Sequence, residues 1–317
     1  MIGAWIDDIV LRRTARMAKG PAAITREGMR TLEVDGSVIR LRTGGDGPFT
    51  IVFAPDPPNV IEHYDELFNL LAPHLSLLCF ELPGFGLSFP KGGFNPSFQR
   101  TVETVARLLE ALRMGPYVLA LSCAAGLISL VLARDHPELV SKLVLIQTPS
   151  WPEEIRWSRR VDSQNLLGKP IVGQLLMVLA RRKVAAGWYA AATPDRSTAE
   201  KFNTVAQERF DHGACYCLAS AFQALRREPE PGFGALEQDA LVIWGMADRT
   251  HRKTDKRSPL AFLPHAKLVE FEDAGHFPDL ERPERFREQL LDFLGPEAGG
   301  RSRSSNSSLG RESAGRV

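Results

Sequence analysis

Between Tyr117 and Ile128 a short apolar run, Tyr117-Val118-Leu119-Ala120-Leu121, meets three small or polar residues and passes at once into a helical pattern. This corner constrains the fold more than any other stretch. A continuous apolar strand must be covered on both faces, which favours a parallel sheet clothed in helices. A strand that turns sharply into a helix also presents its corner residue beside backbone N–H groups with no intrahelical acceptor. That is the setting a nucleophile needs. The corner residue is Cys123, with Ser122 just before it.

The remainder of the chain fits such a sheet. Thr31–Val34 and Val38–Arg42 flank Asp35-Gly36, a hairpin signal. Continuous apolar runs at Thr50–Ala54, Leu75–Glu81, Leu143–Ile146, Ala240–Trp244 and Lys267–Phe271 read as buried strands. Helical spacing appears at His63–Leu71, Ser97–Leu112 and Pro283–Leu294. From Trp151 to about Pro231 the alternation stops, and the chain becomes helical and rich in Arg and Trp. A helical insertion between two halves of one sheet is placed to cap the strand ends, where ligands bind. The predicted division is an amphipathic N-terminal helix in 1–29, a core in 30–150 and 233–295, a helical cap in 151–232 and a disordered tail in 296–317.

Four landmarks occur in order: Pro83-Gly84-Phe85-Gly86-Leu87-Ser88, the corner at Cys123, Trp244-Gly245-Met246-Ala247-Asp248 and Ala274-Gly275-His276-Phe277. With the element order they resemble the α/β-hydrolase fold family over roughly residues 30 to 294. The resemblance implies an α/β fold: a mostly parallel eight-stranded sheet with helices on both faces and an inserted helical cap. It also implies a triad. Two registers are open for the nucleophile, Ser122 flanked by Ala120 and Ala124, or Cys123 flanked by Leu121 and Ala125. Gly126 and His136-Pro137-Glu138 fall at the family's positions only for Cys123, so Ser122 is the alternative. His276 then corresponds to the base and Asp248 to the acid that orients it. The N–H groups of Asp56 and Ala124 correspond to the oxyanion hole.

Three residues depart from the family pattern. Leu121 stands where the family has glycine, Ala54-Pro55 where it has His-Gly, and Asp56 places a carboxylate next to the oxyanion site. Cysteine in the nucleophile position is similar to dienelactone hydrolases and polyester synthases. A free thiol has a pKa of about 8.5, and an adjacent imidazolium lowers it, so a resting thiolate–imidazolium pair is expected.

The implied function is hydrolysis or acyl transfer on a small or medium apolar ester, thioester or lactone, through a thioester intermediate. The alternatives are a non-covalent lyase or isomerase with His276 as base, or a binding protein that retains the fold. No cofactor or metal is expected, since Cys215-Tyr216-Cys217 lacks the spacing of a zinc knuckle. Gly84-Phe85-Gly86 lacks the third glycine of a dinucleotide loop. The formal net charge of +1 gives no reason to expect nucleic acid. Four cysteines without a disulfide framework suit the cytoplasm. Ile2, Trp5, Ile6, Ile9 and Val10 suggest a helix packed on the body, on a second copy or on a membrane surface. His251-Arg252-Lys253 and Lys256-Arg257 read as a solvated basic face. Trp188, Tyr189, Phe202, Phe210, Tyr216 and Phe222 read as cap core and pocket lining.

Overall fold

Strands form where the chain is apolar on consecutive residues, and helices where apolar residues recur every three or four positions. The computed structural model describes residues 2–17, 25–91 and 93–299. Helix α1 (Ala4–Met17) leads to the hairpin β1 (Met29–Val34) and β2 (Ser37–Gly44). Asp35 and Gly36 turn that hairpin with positive φ at both positions, as the tight two-residue loop requires. Then come β3 (Thr50–Ala54), α2 (Asp65–Leu71), β4 (Ser76–Phe80), the two-residue β5 (Phe85–Gly86) and β6 (Phe89–Pro90), and α3 (Phe98–Leu112). The corner follows as β7 (Tyr117–Ser122) and α4 (Ala124–Asp135), then β8 (Val140–Ile146). The insertion holds α5 (Trp151–Val161), α6 (Val172–Ala192), α7 (Arg196–Asp211), β9 (Cys215–Tyr216) and α8 (Leu218–Leu225). The chain closes with β10 (Ala240–Gly245), β11 (Lys267–Phe271), α9 (Pro278–Glu281), α10 (Pro283–Leu294) and α11 (Pro296–Gly299).

Eight strands lie in the order β1-β2-β4-β3-β7-β8-β10-β11, with β6 paired to β2 at the side. The pairs from β4 onward are parallel, and β1–β2 and β2–β4 are antiparallel. This is the expected mostly parallel eight-stranded sheet. Its strand order reverses between β3 and β7, which creates the crevice where open α/β sheets bind ligands. The loops carrying Asp56 and Cys123 leave the two sides of that crevice. Ala54 pairs with Leu121, so a methyl group on one strand leaves room for the branched side chain on the next. That pairing explains how the corner tolerates Leu121, which is fully buried.

Each sheet face has its own core. One is filled by α2 and α10 residues such as Leu67 and Phe286, the other by α3 and α4 residues such as Val105 and Leu127. Each such side chain contributes roughly 1.5–3 kcal/mol over its exposed state. Beneath the insertion, fully buried Arg40 donates to Glu62 at 2.5 Å and Glu81 at 3.0 Å. Arg209 of α7 reaches the same Glu62 at 3.3 Å, so the ion network ties the insertion to the sheet. His63 adds a second tie, donating from Nε2 to the Phe202 carbonyl at 2.9 Å while its Nδ1 accepts from the Val60 N–H.

Two expectations change. The α1 face toward the protein is Ala4, Ile6, Asp7 and Leu11, and Ile2, Trp5 and Ile9 point outward. Asp7 is held inside because the Ser220 hydroxyl donates to it at 2.6 Å. The predicted tail begins with one helical turn, Pro296–Gly299, that buries Ala298; residues 300–317 lie outside the described residues. No helix among the described residues is long and apolar enough to cross a membrane.

Candidate active site

Cys123 adopts φ 52° and ψ −131°, a strained corner between β7 and α4, and it is 2% exposed. Ser122 is the last strand residue, paired with Ile146, and its side chain is buried. The corner is held from below. Thr148 donates to the Cys123 carbonyl at 3.1 Å, and the space beside Gly126 is taken by the Thr148 side chain. A Cβ at position 126 would sit 2.0 Å from the Thr148 hydroxyl, so only glycine fits.

The loops after β10 and β11 bring Asp248 and His276 to this corner. Glu281 braces the His276 loop by accepting from the N–H groups of Gly275 and Phe277 at 2.8 and 3.0 Å. The His276 N–H itself donates to Ala192 at the end of α6, which locks the loop to the insertion. Asp248 accepts from His276 Nδ1 at 2.7 Å, from Gln147 at 3.1 Å and from Thr250 at 2.8 and 2.7 Å. Burial opposes ionisation of Asp248, but His276 and these donors outweigh it and hold its pKa at about 2.

Asp56 turns inward. Its Oδ2 lies 3.0 Å from His276 Nε2, so both ring nitrogens donate to carboxylates. Burial disfavours a charged ring, yet Asp248, then Cys123 and Asp56, raise the His276 pKa well above the usual imidazole range. The ring rests as imidazolium. The thiol behaves in the opposite way: burial, then the Glu154 and Asp56 carboxyl groups, push its pKa well above the free value, with His276 opposing. The expected resting thiolate is therefore corrected to a thiol. Asp56 already neutralises the imidazolium, and a thiolate would add a second uncompensated charge in a dry site.

Glu154 was not legible as a site residue. It lies in the first turn of α5, fully buried, with Oε1 accepting the Cys123 thiol at 3.9 Å. Burial, then Asp56, raises its pKa to about 8, so it is protonated at neutral pH. His251 belonged to the expected basic face, but its ring is 2% exposed, stacked on Trp157 at 4.8 Å between centroids. Arg252 and Lys253 are exposed as expected. The only hint in the sequence was the apolar-aromatic context of α5, where Trp157 follows Glu154 by one helical turn.

A cavity of about 410 Å³ opens above the corner, lined by Cys123, Ala124 and Asp56 and by Trp157, Trp188 and Phe222. Tyr216 also lines it, whereas Tyr189, Phe202 and Phe210 pack in the core. Cys123 and Ala124 head α4, whose first N–H groups lack intrahelical acceptors and face developing negative charge.

Residues 51–289 match the model of the Alpha/beta hydrolase family. An uncharacterized hydrolase, YugF, of Bacillus subtilis is 26% identical over 244 residues, covering 73% of this chain and 84% of that protein. The fold is similar to that of a hydrolase from Pseudomonas aeruginosa, with a TM-score of 0.65 and 23% identity over 86% of this chain and all of that one. It is also similar to a thermophilic esterase from Thermogutta terrifontis, with a TM-score of 0.63 and 19% identity over 84% of this chain and 97% of the other.

Proposed function

Because the chain belongs to the alpha/beta hydrolase family, we propose that it hydrolyses a small or medium apolar ester, thioester or lactone through Cys123, His276 and Asp248. One observation carries this reading. Cys123 holds the left-handed corner at the head of α4, beneath a 410 Å³ apolar cavity, with the Asp248–His276 pair beside it. In the reaction, the sulfur bonds to the acyl carbon as its proton passes to the Asp56–His276 pair. The carbonyl electron pair moves onto oxygen, beside the N–H groups of Ala124 and Asp56. Collapse breaks the bond to the leaving group, which takes a proton from Glu154, and leaves a thioester on Cys123. Water attacks that thioester and gives a proton to the Glu154 carboxylate, while the proton held by the Asp56–His276 pair goes to the departing sulfur, releasing the acid and restoring the thiol and Glu154. Transfer to another acceptor follows the same route with the acceptor in place of water.

The Asp56 contact favours a second reading. An imidazolium clasped by two carboxylates is a ready acid–base unit, and a lyase or isomerase could use it without a covalent step. Turnover of Cys123→Ala and Asp56→Asn separates the two. Acyl chemistry predicts that Cys123→Ala is inactive on a chromogenic short-chain ester. Full turnover in that variant with loss in Asp56→Asn overturns it.

Residues 151–232 act as the cap over this site, on the core of 30–150 and 233–295. Ile2, Trp5 and Ile9 form the exposed side of α1 through which the chain would touch a membrane surface or a second copy. The four free cysteines support a reducing compartment such as the cytoplasm.

A further inference from the structure

Three buried side chains converge on one point, and the mechanism above uses only two of them. The Cys123 sulfur and one ring nitrogen each of His251 and His276 lie within 4.8 Å of one another. Among the described residues neither nitrogen of the His251 ring has a hydrogen-bond partner, although the residue is only 2% exposed and its ring is aimed at the other two. A buried imidazole with an unused lone pair is unfavourable unless something occupies that lone pair. We infer that Cys123, His251 and His276 form a binding site for a thiophilic divalent metal ion of the zinc class.

The chemistry of the donor set supports this. One thiolate and two imidazoles suit zinc, which takes three such protein ligands in a tetrahedron and leaves its fourth position open. Zn–S near 2.3 Å and Zn–N near 2.0 Å place such donors about 3.3–3.5 Å apart. Closing the set from at most 4.8 Å needs side-chain rotations of about 1 Å. Asp56 Oδ2 sits 3.0 Å from His276 Nε2 and gives up this hydrogen bond when Nε2 takes the ion. On the far side of His276, Asp248 holds Nδ1 at 2.7 Å, the carboxylate–histidine–metal arrangement that orients a ligating ring. Trp157 stacks on His251 at 4.8 Å and on His276 at 6.2 Å, both nearly parallel, and holds the two rings in register.

Binding balances. The ion adds two positive charges, and two protons leave, one from the Cys123 thiol and one from His276 Nε2. The site keeps the same net charge, so the metal brings no new uncompensated charge into a dry environment. A metal bound there occupies the sulfur that the proposed hydrolysis needs, so it acts as a reversible block. The site stands on its own geometry and holds whether or not Cys123 carries acyl groups.

The test uses the full chain, free of affinity tags and stripped with a chelator, with Co²⁺ and Zn²⁺ as probes. Co²⁺ should bind one per chain and give a thiolate-to-cobalt charge-transfer band with the visible bands of a tetrahedral ion. Zn²⁺ should protect Cys123 from iodoacetamide, read by peptide mass. His251→Phe should weaken Zn²⁺ binding at least about 10-fold, as losing even an outer-shell partner often does. If that variant fails to fold, His251→Gln reads the same affinity. No thiolate band, unprotected Cys123 at saturating Zn²⁺, or equal affinity in the folded His251 variant would each overturn the assignment.

Discussion

Replacing Glu154 with Gln tests the electrostatics of the site through stability. Glu154 is fully buried, and its pKa rises from 4.5 to about 8, mainly through burial. Its folded pKa exceeds its unfolded one, so the folded state holds an extra proton between those values. Stability therefore falls as pH rises through that window. At about 1.36 kcal/mol per unit, the 2.5 units between 4.5 and pH 7 cost the wild type about 3 kcal/mol. At pH 5 the same group costs under about 1 kcal/mol. Gln keeps the shape and an acceptor for the thiol but does not titrate. Glu154→Gln should therefore be more stable than wild type, by an amount growing from under about 1 kcal/mol at pH 5 to about 3 kcal/mol at pH 7. Urea denaturation of both proteins at pH 5, 6, 7 and 8 measures the difference directly. Taking the difference cancels other raised carboxyls such as Asp279 and Glu281, each at about 7. A difference that does not change with pH would refute the assignment of a neutral carboxylic acid beside Cys123.

The same proton sets the pH profile of turnover: with Glu154 as proton donor, kcat/KM should fall as pH rises through about 8, and Glu154→Gln should abolish that limb. At pH 7, iodoacetamide should label Cys123 slowly in the wild type and faster in Asp56→Asn, where a carboxylate that raises the thiol pKa is gone; equal rates would count against that role. Arg40→Ala leaves Glu81 buried without its cation and Glu62 with Arg209 alone, and should cost about 3–5 kcal/mol in chemical denaturation. Gly126→Ala drives a methyl to 2.0 Å from the Thr148 hydroxyl and should cost about 1–3 kcal/mol by the same assay, with Thr148→Ala recovering part of it.

The strands were legible because parallel strands buried on both faces read as unbroken apolar runs, as at Val52-Phe53-Ala54 and Leu241-Val242-Ile243. Asp248 and His276 were legible because each follows such a run in a short loop. Helix α1 misled, since its apolar residues spread over more than one face and the inward Asp7 depends on Ser220, 213 residues away. Glu154 was hidden for a similar reason. An acidic residue in the first turn of a helix usually faces solvent and complements the helix dipole. Only the folding of α5 over the corner buries it against Cys123. His251 sat beside Arg252 and Lys253, which are exposed, and its inward turn follows from stacking on Trp157 and an edge contact with Trp244. Asp56 was visible, but its direction depends on His276, which lies 220 residues further along the chain.

If Cys123 carries an acyl group during turnover, intact-mass analysis of acid-quenched enzyme detects it. A chromogenic short-chain ester should leave one acyl group per chain, mapped to the peptide bearing Cys123 and absent from Cys123→Ala. Turnover that persists in Cys123→Ala with no adduct on the wild type would contradict it and leave the Asp56–His276–Asp248 unit as the catalyst.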